Sequence, residues 1–398
     1  MGLLSAQVAG YIEKSSWIRR MFEAGQELKD KYGRDNVFDF SLGNPDVPPP
    51  AAVARALRDC AESAGEPLSM GYMPNAGFVH VRRALSEKIS REQGVPVPLE
   101  NVLLTCGAAG AINVFLRAVL EPGEKMLCPA PYFVEYGFYV QNHGGELLPV
   151  PALEPDFRLD IDKMAASITP DTRVVLINSP NNPTGRIYTE NELNSLADVL
   201  RAKSAEYNRP LFLVSDEPYR FLSFEGREVP SLLDRYEYSV VVSSFSKSLG
   251  LAGERIGYAA INPQMPGAGE LIGGMVLANR ILGFVNAPVV GQKILLGAID
   301  SCVDVGIYAR RKKMLAGILE KAGLDYADPQ GGFYFFVKSP TGDDQDLVQA
   351  LMAENVLAVP GGGFGYPGYV RFAFCIPDEV IAGSEQAIIR AVGNLPGN

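Results

Sequence analysis

Apolar residues in the middle of the chain recur in short runs that are separated by longer segments with helical periodicity. The runs cover residues 101–104, 125–127, 173–177, 211–214, 239–242 and 256–261. Runs such as 174–177 and 211–214 are apolar at every position, which is typical of parallel strands that helices cover on both faces. The pattern therefore predicts an α/β unit built on a mostly parallel sheet.

The pattern differs on both sides of this region. The first part of the chain has helical periodicity over residues 16–31 and strand-like alternation over 37–42. The last part has a long helical stretch from 286 to about 323, strand-like 333–337, a helix near 344–354, strand-like 369–374 and a last helix. We therefore expect a large domain, residues 45–285, and a smaller α+β domain formed by residues 1–44 and 286–398.

Composition excludes several classes of protein. The chain has 398 residues, 47% of them hydrophobic and 21% charged, which is enough apolar material for a large core and too little charge for a disordered chain. The net charge of −10 gives no general attraction to nucleic acid or anionic lipid. No apolar run approaches the roughly 18 residues of a membrane span, and no signal peptide is evident.

The rare residue types limit the possible chemistry. With only His80 and His143 in the chain, a metal centre built from several histidines is excluded, and we expect no metal site. The five cysteines are widely spaced without a C-x-x-C pair, which favours free thiols in a reducing cytoplasm. Catalysis must therefore depend mainly on other groups.

Polar residues follow the ends of three successive predicted strands. They are the segments 178–185, with the sequence NSPNNPTG, 215–219, with the sequence SDEPY, and 243–247, with the sequence SSFSK. A fourth segment, TCGAAG over residues 105–110, ends a strand and opens a helix whose free N–H groups suit a phosphate. Because ligands bind at the carboxyl ends of parallel strands, these segments should meet at one edge of the sheet.

Each segment alone is a weak signal, but together they meet the needs of one cofactor. Lys247 can form a Schiff base, Asp216 can keep a pyridine nitrogen protonated, and Tyr219 and Asn182 can hydrogen-bond a ring oxygen. The Gly- and Ser-containing segments can hold a phosphate. These are the requirements of pyridoxal 5′-phosphate.

The same residues resemble the fold-type I pyridoxal phosphate enzymes, in particular the aspartate-aminotransferase-like class I and II family. The resemblance runs from Phe40 to about Phe372; residues 178–185 reproduce the family's N-x-P-x-N-P-T-G segment, and Lys247 is followed by Arg255 at the family's spacing. The resemblance implies the PLP-dependent transferase fold, with a seven-stranded type of sheet in the large domain. It also implies a homodimer that moves an amino group from an L-amino acid to a 2-oxo acid by a ping-pong route.

The resemblance assigns roles to individual residues. It implies that Lys247 is the Schiff-base lysine and proton shuttle, that Asp216 binds the pyridine N–H, and that Tyr219 and Asn182 bind the ring oxygen. The remaining cofactor contacts that it implies are the phosphate ligands Ala108, Ala109, Ser244, Ser246 and Arg255, the stacking aromatic Tyr132, and Tyr72, which reaches the phosphate of the neighbouring subunit. For the substrate, it implies that Arg371, assisted by Gly43 and Asn182, holds the α-carboxylate.

One departure from the family concerns the substrate side chain. In members that prefer dicarboxylates an arginine precedes the Asn-x-Pro segment; here Ile281 occupies the aligned position and Arg280 is beside it. We therefore expect neutral or apolar donors to rival aspartate, with Arg280 as the competing possibility. Trp17 and Ile18 are candidates for an apolar lid, or for helix packing.

Two other functions share most of these residues. A C–S lyase or related eliminating enzyme would use the same cofactor and break a different bond. A cofactor-binding regulator on the same fold would need a DNA-binding module, and the sequence shows no basic segment of that kind. We expect an aminotransferase, with the eliminating enzyme as the alternative.

Overall fold

The computed structural model describes residues 3–14, 25–33 and 36–396. The proposed lid residues Trp17 and Ile18 lie outside these ranges, as does much of the helix predicted over residues 16–31. Within the described ranges no helix has both the length and the apolar character needed to cross a membrane.

Strands and helices alternate through most of the chain. The strands are β1 Phe38–Asp39, β2 Val102–Cys106, β3 Lys125–Ala130, β4 Glu146–Pro151, β5 Thr172–Asn178, β6 Phe212–Asp216, β7 Ser239–Ser244, β8 Ile256–Ile261, β9 Tyr334–Lys338, β10 Val356–Leu357, β11 Val359–Pro360 and β12 Tyr369–Ala373. The helices are α1 Ala6–Lys14, α2 over residues 25–32, α3 Ala51–Glu62, α4 Val79–Gln93, α5 Gly107–Val119, α6 Glu135–Asn142, α7 Ile161–Ser167, α8 Glu190–Glu206, α9 Ala268–Ile281, α10 Val289–Ala298, α11 Val305–Lys321, α12 Asp344–Ala353, α13 Asp378–Gly383 and α14 Glu385–Gly393.

Seven strands form one large sheet in the order β2-β8-β7-β6-β5-β3-β4. Strands β3 to β7 run parallel, whereas β8 is antiparallel to both of its neighbours. This arrangement confirms the prediction of a mostly parallel sheet. Because only β8 is reversed, its first residue lies at the edge where the other strands end.

Helices cover both faces of this sheet. Val175 and Ile177 of β5 pack in one apolar cluster with α3, α4, α8 and α10. Val174 and Leu176, which point the other way, pack in a second cluster with α5, α6 and α9. All four side chains are at most 1% exposed, which explains why the strand is apolar at every position.

A smaller unit packs beside the large sheet. It contains the antiparallel sheet β11-β12-β9, the short parallel pair β1-β10 and helices α11 to α14. Phe40 belongs to this unit's core although it lies far from the other members in sequence, because β1 pairs with β10.

The boundary predicted between residues 285 and 286 places α10 in the smaller unit, but the packing of α10 argues otherwise. Ile294, Leu295 and Ala298 of α10 are buried in the cluster that covers the large sheet. The helical stretch predicted from 286 to 323 is also interrupted, since Asp304 caps α11 by accepting a hydrogen bond from the Gly306 N–H at 2.8 Å. We therefore propose that the smaller unit resumes near Val303, the first residue after α10 in its core.

Candidate active site

The strand ends that carry the predicted chemistry meet at one edge of the large sheet. Asn178 at the end of β5 pairs with Asp216 at the end of β6, and β7 lies on the far side of β6. Ser244 at the end of β7 pairs with Gly257 near the start of the reversed β8. Arg255, just before β8, therefore lies at the same edge as Asp216 and Lys247.

A cavity of about 260 Å³ lies against this edge. It brings together nine of the predicted site residues: Ala108, Ala109, Asn182, Asp216, Tyr219, Ser244, Ser246, Lys247 and Arg255. The cavity thus brings an amine, a carboxylate, a phenol and a guanidinium together in one open cleft.

Asp216 is a buried carboxylate with one satisfied oxygen. Its Oδ2 accepts a hydrogen bond from the Tyr136 hydroxyl at 2.6 Å, while Oδ1 is buried without a partner among the described residues. Burial raises the pKa of Asp216 from 3.8 to about 7, against a lowering by the Tyr136 hydrogen bond. A cationic N–H donor placed at Oδ1 would satisfy that oxygen and bring the pKa down again.

Lys247 extends from the loop after β7 toward the smaller unit. Its Nζ donates to the carbonyl oxygen of Gly43 at 2.5 Å, which brings this predicted substrate residue to the site. Burial lowers the pKa of Lys247, and the charges of Arg371 and Arg255 lower it further. Lys247 is therefore easier to deprotonate than an exposed lysine, as a nucleophilic amine requires.

The first turn of α5 and Arg255 form a cradle for an anion. The N–H groups of Ala108 and Ala109 belong to the helix's first turn, where backbone donors have no partner within the helix. Gly107 has φ +73°, and a Cβ there would approach Arg255 Nη2 to 2.6 Å, so a glycine allows the guanidinium to lie against the turn. Ser244 and Ser246 add buried hydroxyl-bearing side chains beside it.

Arg371 on β12 is held as a preorganised guanidinium. Nη1 donates to Asn182 Oδ1 at 3.1 Å and Nη2 donates to the carbonyl oxygen of Ser41 at 2.7 Å. The guanidinium lies over the rings of Tyr334 and Phe364, at 4.6 and 4.7 Å from their centroids. Arg371 is only 8% exposed, and its Nε is buried without a partner among the described residues.

These features fit the cofactor that the sequence implies. The buried Asp216 Oδ1, which no described residue satisfies, suits the N–H of a pyridine ring. The cradle at Gly107 suits a phosphate, and Lys247 provides the amine. Arg371 adds a fork for a substrate carboxylate.

Four predicted residues lie outside the cavity lining: Gly43 and Arg371, described above, and two aromatic residues, Tyr132 and Tyr72. The backbone N–H of Tyr132 donates to the Phe364 carbonyl at 3.1 Å, and its ring packs so closely on Gly365 that a Cβ there would lie 2.5 Å from it. The neighbouring Phe133 lines the cavity instead, so the structure favours Phe133 for the stacking role assigned to Tyr132. The second residue, Tyr72, is 94% exposed.

Three site residues, Tyr136, Tyr334 and Glu135, escaped the sequence reasoning, and a fourth, Asn178, was predicted only as part of the segment 178–185. Tyr136 holds Asp216, and Asn178 links two strand ends by donating to the Asp216 carbonyl at 2.8 Å and accepting from the Asn182 N–H at 2.6 Å. Tyr334 contacts Arg371, and the buried Glu135 Oε2 has no partner among the described residues. Burial raises the pKa of Glu135, and the charge of Arg371 opposes this shift.

Arg280 and Ile281 lie on the last turn of α9 and are both exposed. Asn75 Nδ2 donates to the Val285 carbonyl at 2.9 Å, and Asn286 Nδ2 donates to the Pro74 carbonyl at 3.1 Å. The segment that carries Tyr72 is thus tied to the end of α9. Neither Arg280 nor Ile281 lines the cavity of its own chain.

The large, mostly parallel sheet, the partly buried Lys247 and the buried Asp216 at its edge, and the smaller unit that supplies Arg371 fit the aminotransferase-like family that the sequence resembles. Comparison with known families agrees, since residues 35–383 match the family described as aminotransferase class I and II. The chain belongs to this family and is an aminotransferase.

The chain is similar to relatives of several named specificities. It is 30% identical to the aspartate/prephenate aminotransferase of Thermus thermophilus, over 89% of this chain and 90% of that protein. It is 29% identical to aromatic-amino-acid aminotransferase 2 of Thermococcus litoralis, over 94% of each. The crystal structure of an aminotransferase from Eubacterium rectale is 34% identical with a TM-score of 0.94, covering 99% of this chain and 100% of that one.

Proposed function

We propose that this aminotransferase binds pyridoxal 5′-phosphate in the cavity at the sheet edge and moves an amino group from an L-amino acid to a 2-oxo acid in two half-reactions. The observation that carries the proposal is that one cavity brings together Lys247, the first turn of α5 and the Asp216 Oδ1, which has no partner in the part of the chain that the structure describes. When bound, the cofactor supplies an electron sink for the charge that develops at the donor's α-carbon.

Different cavity residues would bind different parts of the cofactor. Asp216 Oδ1 would accept from the pyridine N–H, while Tyr219 and Asn182 would hydrogen-bond the ring oxygen. Phe133 would cover one face of the ring. The phosphate would be held by the N–H groups of Ala108 and Ala109 together with Ser244, Ser246 and Arg255.

Lys247 and Arg371 act on the substrate in this proposal. Lys247 Nζ would hold the cofactor and, as a free amine, would move the proton at the donor's α-carbon. Its lowered pKa favours the neutral amine that proton transfer needs. Arg371 holds the α-carboxylate, because its guanidinium is already oriented by Asn182 and Ser41. The Gly43 backbone is a second contact for the same carboxylate.

Among the described residues that line the cavity the only arginine is Arg255, which is assigned to the phosphate. The relatives are named for aspartate, prephenate and aromatic amino acids. Because Ile281 occupies the aligned position, we propose that alanine, branched or aromatic donors rival aspartate. A cytoplasmic location remains a prediction from the sequence.

A second copy of the chain would complete the site. Tyr72 is 94% exposed, and Leu68 at 89%, Ile281 at 58% and Leu277 at 54% are also exposed apolar side chains, a feature typical of interfaces. The Tyr72 segment adjoins Asn286, whose carbonyl accepts from Cys106 Sγ at 3.7 Å. We propose a homodimer in which Tyr72 reaches the phosphate of the neighbouring subunit.

A half-reaction test distinguishes transamination from elimination. Purified enzyme loaded with pyridoxal phosphate is mixed with one amino acid in the absence of a 2-oxo acid. An aminotransferase yields at most one 2-oxo acid per site and leaves the amino group on the enzyme. Release of ammonia in amounts far above the enzyme concentration would contradict the proposal and favour the eliminating enzyme.

Mixing two inactive variants tests the dimer. In a heterodimer of Tyr72→Ala and Lys247→Ala chains, one site has an intact lysine and receives an intact Tyr72 from its partner. Activity should therefore reappear after the two variants are unfolded together and refolded. If the mixture stays inactive while refolded wild type recovers, Tyr72 does not act across an interface.

A further inference from the structure

Tyr334 lies where three of the predicted site residues meet. It opens β9 in the smaller unit and is only 2% exposed. Its hydroxyl is 2.9 Å from the hydroxyl of Tyr219, and a Cβ on Gly43 would collide with it. Its ring lies under the Arg371 guanidinium, with 4.6 Å between the guanidinium carbon and the ring centroid.

The two ends of this side chain serve different partners. The hydroxyl is the hydrogen-bond partner of Tyr219, whose ring is packed edge-on against the rings of Phe333 and Tyr334. The ring of Tyr334 and the ring of Phe364 contact the Arg371 guanidinium. A single side chain of the smaller unit thus contacts a proposed ligand of the cofactor ring and the proposed ligand of the substrate carboxylate.

We propose that Tyr334 is a positioning residue for the amino-transfer reaction: its hydroxyl orients the Tyr219 hydroxyl toward the cofactor ring, and its ring holds the Arg371 guanidinium for the substrate α-carboxylate. The inference rests on the proposed function, since it assumes the roles given to Tyr219 and Arg371.

The physical argument differs for the two contacts. The Tyr219 hydroxyl can rotate about its C–O bond, and a fixed neighbouring hydroxyl restricts that rotation and leaves one orientation for the ligand. Arg371 Nε has no partner among the described residues, and the guanidinium plane is fixed there by the hydrogen bonds to Asn182 and Ser41 and by the aromatic rings. Cation–π contact with a buried ring stabilises that plane without occupying the N–H groups that a carboxylate needs.

A double-mutant cycle tests the hydroxyl. Tyr334→Phe, Tyr219→Phe and the double variant are compared for kcat, for KM of an amino acid donor, and for the pyridoxal phosphate dissociation constant of the apoenzyme. Tyr334→Phe should weaken cofactor binding and lower kcat by about three- to tenfold, the worth of one hydrogen bond, with KM changed less than twofold. In the double variant the loss should equal that of Tyr219→Phe alone, because the Tyr334 hydroxyl acts through Tyr219.

Tyr308 provides a matched control. It is a buried tyrosine stacked on Phe333, with 5.7 Å between ring centroids, and its hydroxyl has no partner among the described residues. Tyr308→Phe therefore removes a buried hydroxyl from the same aromatic cluster without touching Tyr219. It should leave the dissociation constant, kcat and KM unchanged.

Tyr334→Leu tests the ring. It should reproduce the loss of Tyr334→Phe in kcat and additionally raise KM at least fivefold for every amino acid donor, because Arg371 loses one aromatic support. If the Tyr334→Phe and Tyr219→Phe losses multiply, or if Tyr334→Phe equals the Tyr308→Phe control, the positioning role is wrong. Failure of the wild-type apoenzyme to bind pyridoxal phosphate would instead overturn the proposed function.

Discussion

Replacing Asp216 by asparagine should stabilise the protein without its cofactor and at the same time disable the enzyme. The side chain is 6% exposed, and its Oδ1 has no partner among the described residues. The asparagine keeps the shape and can still accept the hydrogen bond that Tyr136 donates at 2.6 Å. It removes the charge, which in the absence of a cationic partner is a cost, and places an amide NH2 group where Oδ1 was.

The size of that cost follows from the pKa. Burial raises the pKa of Asp216 from 3.8 to about 7, which at 1.36 kcal/mol per pKa unit corresponds to about 4 kcal/mol. The folded protein therefore holds a proton that the unfolded chain has lost between about pH 4 and pH 7. Stability falls as the pH rises through this window, by about 3 kcal/mol between pH 5 and pH 8.

Urea unfolding of the two apoenzymes at pH 5 and pH 8 measures this effect. Relative to wild type, Asp216→Asn should gain about 3 kcal/mol more at pH 8 than at pH 5. Wild type loaded with pyridoxal phosphate should lose the pH slope, since a cationic N–H at Oδ1 lowers the Asp216 pKa. Tyr136→Phe is a control that should change the pH dependence in the opposite direction. It removes a hydrogen bond that lowers the Asp216 pKa, so the stability of the apoenzyme should fall more steeply with pH.

Asp216→Asn should lower the enzyme's activity although it stabilises the apoenzyme. Without the carboxylate the pyridine nitrogen is no longer held protonated, and turnover should fall at least a hundredfold, or about 3 kcal/mol. If the difference in unfolding free energy between the wild-type and Asp216→Asn apoenzymes is the same at pH 5 and pH 8, burial does not raise the Asp216 pKa. Wild-type turnover in Asp216→Asn would refute the assignment of Asp216 to the cofactor.

Three further substitutions test the rest of the site. Lys247→Ala should retain pyridoxal phosphate without a covalent bond and lose nearly all turnover; near-normal amino transfer would exclude Lys247 as the attachment point. Arg371→Lys should lower kcat/KM for every amino acid donor by about ten- to a hundredfold, because a lysine cannot reproduce the planar fork; a loss confined to one donor would argue against a role at the α-carboxylate. Arg280→Ala should leave the ratio of kcat/KM for aspartate and alanine unchanged; a wild-type preference for aspartate of a hundredfold or more that collapses in this variant would show that Arg280 reads a second carboxylate.

The central strands and their end residues were predictable because burial on both faces leaves a strong local signature. Strand β5 has no polar side chain between Arg173 and Asn178, and the residues that follow β5, β6 and β7 include Asn182, Tyr219 and Lys247. Sheet geometry alone places such residues together.

One edge strand and two short strands lack that signature. Strand β4 contains Glu146, Pro149 and Pro151 and was not predicted, although it pairs with β3 over its whole length. It is the last strand of the sheet order, and proline is tolerated at an edge because one side of the strand needs no ladder hydrogen bond. Strands β10 and β11 have two residues each, too few for an alternation to be recognised.

The sequence also could not predict the direction of side chains in loops or the contacts between the two units. Tyr132 and Phe133 are adjacent aromatic residues, and only the chain's path after β3 decides which one faces the cavity. Tyr334 comes from a strand that was predicted over 333–337, and Tyr136 comes from a helix, α6, that was not singled out. Their partners Tyr219 and Asp216 lie 115 and 80 residues away in the chain. No local pattern encodes such a separation.

The reversal of β8 has a consequence for how the chain can be rearranged. Strands β7 and β8 are antiparallel neighbours, and Ser244 at the end of β7 pairs with Gly257 near the start of β8. Residues 245–255 therefore connect the two strands directly, and this loop carries both Lys247 and Arg255. Lys247 would bond the cofactor, and Arg255 would neutralise its phosphate. The distance between these two groups is thus set by one short loop and does not depend on how separate helices or strands pack. A circular permutant opened in this loop would keep every strand and helix but place the two groups on opposite chain ends, and fraying there would separate them.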